Sequence, residues 1–220
     1  MFLAKKRKDL VNNADSLKPR DKAELDFWKK HLNKFKKYYL KQEYLEDLRQ
    51  EYFNVYCYYL KLDKDSFKDK ILVDIGCGPH GASGLFKAKK KIGVDILSNN
   101  YKKEFDLSWH NMEYLDCPSE NIRLADDFAD VVISRNTLDF VDDFGKAVGE
   151  IHRILKKGGE IRLSINLREN SDVCGTHILN EEIIKNILDK KFRYEIIERF
   201  PKFSREFYPF EIITIKGTKL

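Results

Sequence analysis

Apolar residues recur at two different periods along this chain, and the change from one to the other falls near residue 70. Upstream, Leu25, Trp28, Leu32, Phe35 and Tyr39 follow one another at spacings of three and four, so they line one face of a helix. Pro19 ahead of Asp21-Lys22-Ala23-Glu24 supplies its start, with an acid in the capping position and a glutamate three residues on. A second stripe runs through Tyr44, Leu48, Tyr52, Val55 and Tyr59. Two amphipathic helices therefore open the chain, and their apolar stripes need a surface to cover.

At Ile71 the period changes. Ile71-Leu72-Val73 is a short unbroken apolar run between turn residues, the pattern of a buried parallel strand. From there the expected elements are a strand over 71–75, a glycine-rich loop, a short helix over 82–88, a strand over 91–96 and an irregular stretch to about 120. A strand over 130–134 and a helix with Phe144, Val148, Ile151 and Leu155 on one face follow. Lys156-Lys157-Gly158-Gly159 ends that helix, since basic side chains suit a helix C-terminus and glycine takes the left-handed conformation. Ile161, Leu163 and Ile165 then alternate with polar residues in a strand over 160–166, and a helix over 180–190 buries Ile183, Ile184, Ile187 and Leu188. Strands over 192–199 and 210–216 close the chain with no helix between them. Alternating strands and helices predict an α/β fold with a parallel sheet, and the terminal pair predicts an antiparallel edge. The expected organisation is a helical extension over 1–68 and one domain over 69–220.

Length fits this division, because 220 residues suffice for one full core but not for two unrelated domains. The 42% hydrophobic and 13% aromatic content is that of a packed protein. No stretch approaches the length of a membrane span and the N-terminus lacks the apolar run of a signal peptide, so a cytoplasmic protein is expected. Cys57, Cys77, Cys117 and Cys174 lie far apart, without metal-ligand spacing, and are expected as reduced thiols. Net charge is +5, but the first seventy residues hold 18 Lys and Arg against 12 Asp and Glu, while the remainder holds 23 against 24. Such a basic region could attract an anionic partner; diluted by acids on amphipathic helices, it reads first as a solvated face.

The candidate chemistry lies in the glycine loop. Gly76-Cys77-Gly78-Pro79-His80-Gly81 has the spacing G-x-G-x-x-G after a strand, and Asp95 closes the next strand. Glycines there let the backbone approach a ligand, and the acid is placed to accept from ribose hydroxyls. These features suit a dinucleotide as well as any other adenosyl cofactor. Asp74 separates the readings. A carboxylate two positions before the first glycine would face a pyrophosphate, but it favours a cofactor whose corresponding end carries an ammonium and a sulfonium.

Val73-Asp74-Ile75-Gly76-Cys77-Gly78-Pro79 resembles the first motif of the class I S-adenosylmethionine-dependent methyltransferases, of the type 11-like kind. Lys91-Ile92-Gly93-Val94-Asp95 is similar to the family's second strand. The stretch from Ser119-Glu120-Asn121-Ile122 to Asp130-Val131-Val132 is similar to the acidic segment before its fourth. Arg123 and Ala129 depart from the pattern there. Ser134-Arg135-Asn136-Thr137 resembles the segment after the fourth strand, and Leu155-Lys156-Lys157-Gly158-Gly159 the turn before the fifth. The resemblance implies a Rossmann-like seven-stranded sheet of order 3-2-1-4-5-7-6, with strand seven antiparallel, and S-adenosyl-L-methionine as cofactor. It implies a cofactor site made of Asp74, Gly76, Cys77, Gly78, Gly81, Asp95, Ile96, Ser119, Glu120, Arg135 and Asn136.

Methyl transfer from a sulfonium expels a neutral thioether, so alignment of acceptor and methyl carries much of the catalysis and a base is needed only for a protonated acceptor. Neither an N-P-P-Y tetrapeptide nor a P-C nucleophile dipeptide is present, which argues against the corresponding nucleic-acid substrates. A small-molecule acceptor is expected, methylated on oxygen or nitrogen, with a sugar or surface-glycan precursor among the candidates. His177, in the loop after strand five, is the candidate base, with a solvated loop histidine as the rival reading. His80 supports the cofactor loop, His31, His110 and His152 read as surface residues, and Arg135 holds an acceptor or pairs with Asp139. The N-terminal helices, which carry 7 of the 11 tyrosines, are expected as a lid over the acceptor site. An NAD-dependent Rossmann oxidoreductase and an RNA-binding or RNA-modifying protein of the same fold are the alternatives.

Overall fold

The computed structural model describes residues 17–36, 42–168, 178–202 and 210–220. Helices α1 (Pro19–Lys36) and α2 (Gln42–Leu60) precede seven strands: β1 (Ile71–Ile75), β2 (Lys90–Val94), β3 (Glu113–Leu115), β4 (Ala129–Arg135), β5 (Leu155–Leu167), β6 (Phe192–Phe200) and β7 (Glu211–Lys219). Three further helices are α3 (Ser98–Glu104), α4 (Phe144–Ile154) and α5 (Glu181–Leu188). The strands form one sheet in the order β3-β2-β1-β4-β5-β7-β6. Pairing is parallel from β3 through β5, and β7 runs antiparallel to both its neighbours. Order and direction are those expected from the sequence, for a simple reason: strands joined without a crossover helix can pair only antiparallel.

Both faces of the sheet are covered. On one, Val73, Val132 and Leu163 pack with Val148 and Ile151 of α4 and with Ile184 and Leu188 of α5. On the other, Leu72, Val131 and Ile133 meet Phe53, Tyr56 and Leu60 of α2, together with Phe67 and Phe86. Burying side chains of this size contributes about 1.5–3 kcal/mol each, so α2 is part of the core.

That role follows from a departure from expectation. The helix expected over 82–88 is a single 3-10 turn, Ala82–Leu85. β2 begins already at Lys90, which leaves too little chain for a helix to run back along the sheet. A side chain at Gly84 would also collide with the His110 carbonyl. α2 covers that face instead. Its buried positions are Leu48, Arg49, Phe53, Tyr56 and Leu60, one position round the helix from the predicted stripe, because the aromatic residues there are amphipathic and leave the apolar face poorly defined.

Other departures are local. The stretch expected to be irregular contains α3 and β3. Asp21 lies inside the first turn of α1 and is buried, where a cap had been expected. α4 ends at Ile154, and Leu155 to Gly159 already belong to β5, with Gly158 left-handed at φ 71°. A register shift between the β4 and β5 pairings absorbs this irregularity.

Candidate functional site

The loop after β1 is held in an unusual backbone. Gly76, Gly78 and Gly81 have φ of 69°, 60° and 64°, a region that residues with a side chain rarely enter. A Cβ on Gly76 would also collide with the side chain of Thr137. Two hydroxyls join this loop to the end of β4: Ser134 Oγ donates to the Ile75 carbonyl at 3.0 Å, and Thr137 Oγ1 to the Gly76 carbonyl at 3.3 Å. From α2, buried Arg49 donates Nε to the Gly81 carbonyl at 2.9 Å and a terminal nitrogen to the His110 carbonyl. The loop is therefore fixed from both sides.

Two carboxylates stand at the strand ends. Asp74, the penultimate residue of β1, is fully buried beside the Ser83 and Tyr56 hydroxyls. Burial pushes its pKa up to about 7, although the Ser83 and Tyr56 hydroxyls and the Arg135 charge pull the other way. Asp95 follows β2 and is 7% exposed; its Oδ2 accepts from Gly78 N at 3.0 Å and its Oδ1 from Leu97 N at 2.9 Å. Burial and then the neighbouring Glu24 charge raise its pKa.

Above the strand ends lies a cavity of about 400 Å³. Gly76, Asp95 and Ile96 form one wall, Ser119 and Glu120 another, and Asn136, Thr137 and Phe140 a third. α1 closes it with Arg20, Asp21, Glu24, Phe27 and Trp28. The lining holds the acids Asp21, Glu24, Asp95, Glu120 and Asp142 against the single base Arg20, and Arg20 is itself paired with Asp21 and Asp142. Such a surface favours a ligand with cationic groups and opposes one with phosphates.

Residues 73–163 match the sequence model of a family described as "Methyltransferase domain". That segment is thus similar to a methyltransferase domain. No curated protein matches it. Among solved structures, the chain resembles a SAM-dependent methyltransferase of Thermotoga maritima described as a possible histamine N-methyltransferase. The two share 21% identity over 89% of this chain and 99% of that one, with a TM-score of 0.61. The YcgJ protein of Bacillus subtilis aligns at 16% identity over 73% of this chain and 95% of its own, with a TM-score of 0.58. A SAM-dependent methyltransferase of Mesorhizobium loti aligns at 17% identity over 72% and 94%, with a TM-score of 0.56. At these identities the structures establish the fold.

The fold brings six of the expected cofactor residues to one cavity: Gly76, Asp95, Ile96, Ser119, Glu120 and Asn136. Asp74, Cys77, Gly78 and Gly81 lie on the same strand end and loop as Gly76 but do not themselves line the cavity. Glu120 is occupied in part by its neighbours, since its Oε1 accepts from the backbone of Asp142 and Asp143. Arg135 does not line the cavity; its guanidinium lies 4.9 Å from the Tyr59 ring centre, on α2. It does not pair with Asp139 either, because Asp139 is bound by Arg168 Nε at 2.6 Å. His177 lies outside the described residues. Two histidines expected at the surface are engaged: His110 is buried and bonded to the Tyr114 hydroxyl, and His31 bonds the Tyr52 hydroxyl at 2.7 Å.

The acids that α1 contributes were not visible in the sequence as cavity residues. Asp21 and Glu24 had the appearance of a helix start, and nothing in their spacing announces a cavity wall. Thr137 and Phe140 are positioned by the turn after β4, where Asn136 takes a φ of 54°. Asn136 N donates to the Ser164 carbonyl at 3.1 Å, and its side chain accepts from Asn166 on β5. Only the pairing of β4 with β5 brings these residues together. Among the described residues no group of three or more His, Cys, Asp or Glu could hold a metal ion, and no helix is long and apolar enough to cross a membrane.

Proposed function

We propose that the acid-lined cavity is the S-adenosyl-L-methionine site and that the protein methylates a small-molecule acceptor. The observation that carries this reading is the charge of the cavity, with the buried carboxylate of Asp74 behind it. A buried carboxylate is costly to ionise, and a cofactor that brings an ammonium to that end of the loop would relieve this cost. Asp95 would accept from the ribose hydroxyls, the glycines would admit the backbone close to the cofactor, and Ile96, Ser119 and Glu120 would border the adenine. Bound there, the cofactor supplies a methyl group on a sulfonium, which leaves as a neutral thioether. The chain's own part is alignment, which is worth about 7–11 kcal/mol when acceptor and methyl are held in attack geometry.

The lid reading for the N-terminal helices is supported by α1, which forms part of the cavity wall. For a hydroxyl acceptor, His177 is the proposed base, and His177→Ala is then expected to lower turnover by about 10²–10⁴ with cofactor affinity nearly unchanged. A sugar or surface-glycan precursor fits this chemistry, and the description of the Thermotoga maritima protein adds an amine to the candidates. A nicotinamide dinucleotide, with its anionic pyrophosphate, is disfavoured by the same five acids. Free thiols at Cys57, Cys77 and Cys117 suit the reducing cytoplasm.

Titration calorimetry with S-adenosylhomocysteine and with NAD tests the reading. S-adenosylhomocysteine is expected to bind and, at a hundredfold excess over its dissociation constant, to stabilise the fold by about 2.7 kcal/mol. Binding of NAD without any adenosyl thioether would overturn it.

A further inference from the structure

We propose that Glu24 of α1 is a second carboxylate for the cofactor's ribose, sharing the two hydroxyls with Asp95, so that gripping the ribose draws α1 closed over the cofactor. The inference rests on the cofactor reading above. Asp95 is oriented by the backbone of Gly78 and Leu97, one bond to each oxygen, and each carboxylate oxygen has capacity for a further donor. Glu24 lines the same cavity. Its Oε1 accepts from Trp28 Nε1 at 3.4 Å, a long bond, and the Tyr101 hydroxyl approaches the same carboxylate.

The groups facing Glu24 are Asp21 and Arg20 on its own helix, Tyr101 on α3, and Asp95 at the end of β2. Burial and then the Glu24 charge make Asp95 hold its proton more tightly, as expected of two acids lining one cavity. A vicinal diol supplies two O–H donors at once, the complement of two converging acceptors. The position of Glu24 in the cavity wall is fixed by the seating of α1 on α3. Leu25 packs with Leu97, Tyr101 and Leu107, and Lys29 pairs with Glu104 at 2.7 Å.

The test uses the full chain, titrated with S-adenosylhomocysteine and its 2′-deoxy and 3′-deoxy analogues. Glu24→Ala is expected to weaken S-adenosylhomocysteine by about ten- to a hundredfold, the range for a hydrogen bond to a charged group. With the analogue lacking the hydroxyl that Glu24 holds, that loss should shrink towards onefold. Asp26→Asn, on the exposed side of α1, should change none of these affinities. If Glu24 merely repels Asp95, its removal leaves binding unchanged or tighter, and the proposal is overturned. Equal losses for all three ligands overturn it too, because they report a role in holding α1 alone. Should Glu24→Ala fail to fold, Glu24→Asp, which keeps the charge and shortens the reach, is read through the same comparison. Failure of the wild-type protein to bind S-adenosylhomocysteine would overturn the cofactor reading as well, whereas tight wild-type binding that Glu24→Ala leaves intact overturns only the role of Glu24.

Discussion

Arg168, just beyond β5, donates Nε to Asp139 at 2.6 Å, and both side chains are almost wholly buried. Asn166 adds a bond to the same Asp139 oxygen at 3.1 Å and another to Asn136. The pair thus joins the turn after β4 to the end of β5, next to Phe140 in the cavity wall. Breaking such a pair by removing one partner leaves an uncompensated buried charge. Asp139→Ala is therefore expected to lower the unfolding free energy by about 3–5 kcal/mol. Chemical denaturation should show this as a lower midpoint with an unchanged slope, and a loss below 1 kcal/mol would contradict the burial argument.

Gly76→Ala should separate binding from folding. The new methyl group must enter a left-handed backbone and displace Thr137, whose hydroxyl joins the two loops. Stability is expected to fall by about 1–3 kcal/mol, and affinity for S-adenosylhomocysteine to fall further than that of a Gly149→Ala control, where no atom lies within 4 Å of the new carbon. Calorimetry on both variants checks this, and equal affinities would show that the ligand does not approach Gly76.

The pH dependence of stability follows from Asp74. Its pKa in the fold is about 7, raised by burial from the ordinary aspartate value of 3.8. The folded state therefore binds more protons than the unfolded state between those values. The stability contribution of this group is fully present below the unfolded carboxylate pKa and is lost as pH rises through 7. His80 acts in the opposite sense, since burial lowers its pKa, so the comparison must be between variants. Asp74→Asn should gain in melting temperature relative to the wild type as pH rises from about 5 to 8, and a constant difference would show that Asp74 is ionised throughout.

Truncation should divide the N-terminal helices by function. Deleting residues 1–40 removes α1, whose described apolar contacts are a small patch around Leu25, and should leave a folded sheet without turnover. Deleting residues 1–61 also removes Phe53, Tyr56 and Leu60 from the core. At about 2–5 kcal/mol for each large side chain lost, this exceeds the stability of an ordinary domain, and circular dichroism should show an unfolded chain. A folded 62–220 fragment would show that α2 is an accessory after all.

The sequence by itself determined the sheet. Apolar runs of strand length separated by helical stripes specify parallel crossovers, and the missing helix before Glu211 specifies the antiparallel end, because both depend on residues close together in the chain. The glycine loop and Asp95 were legible for the same reason: they occupy one strand, one turn and the next strand end. Where local preference is weak the reading lost detail. The stretch 97–115 carries little periodicity, so α3 and β3 were missed, and the tyrosine-rich face of α2 allowed its buried stripe to be placed one position away. Tertiary structure alone decided what lies across the cavity. Glu24 and Asp95 line one cavity, Arg49 holds the Gly81 carbonyl, and Arg168 pairs with Asp139 where Arg135 had been an alternative. Each joins residues from distant parts of the chain, and such pairings are set by how helices seat on the sheet, which no local pattern of residues records.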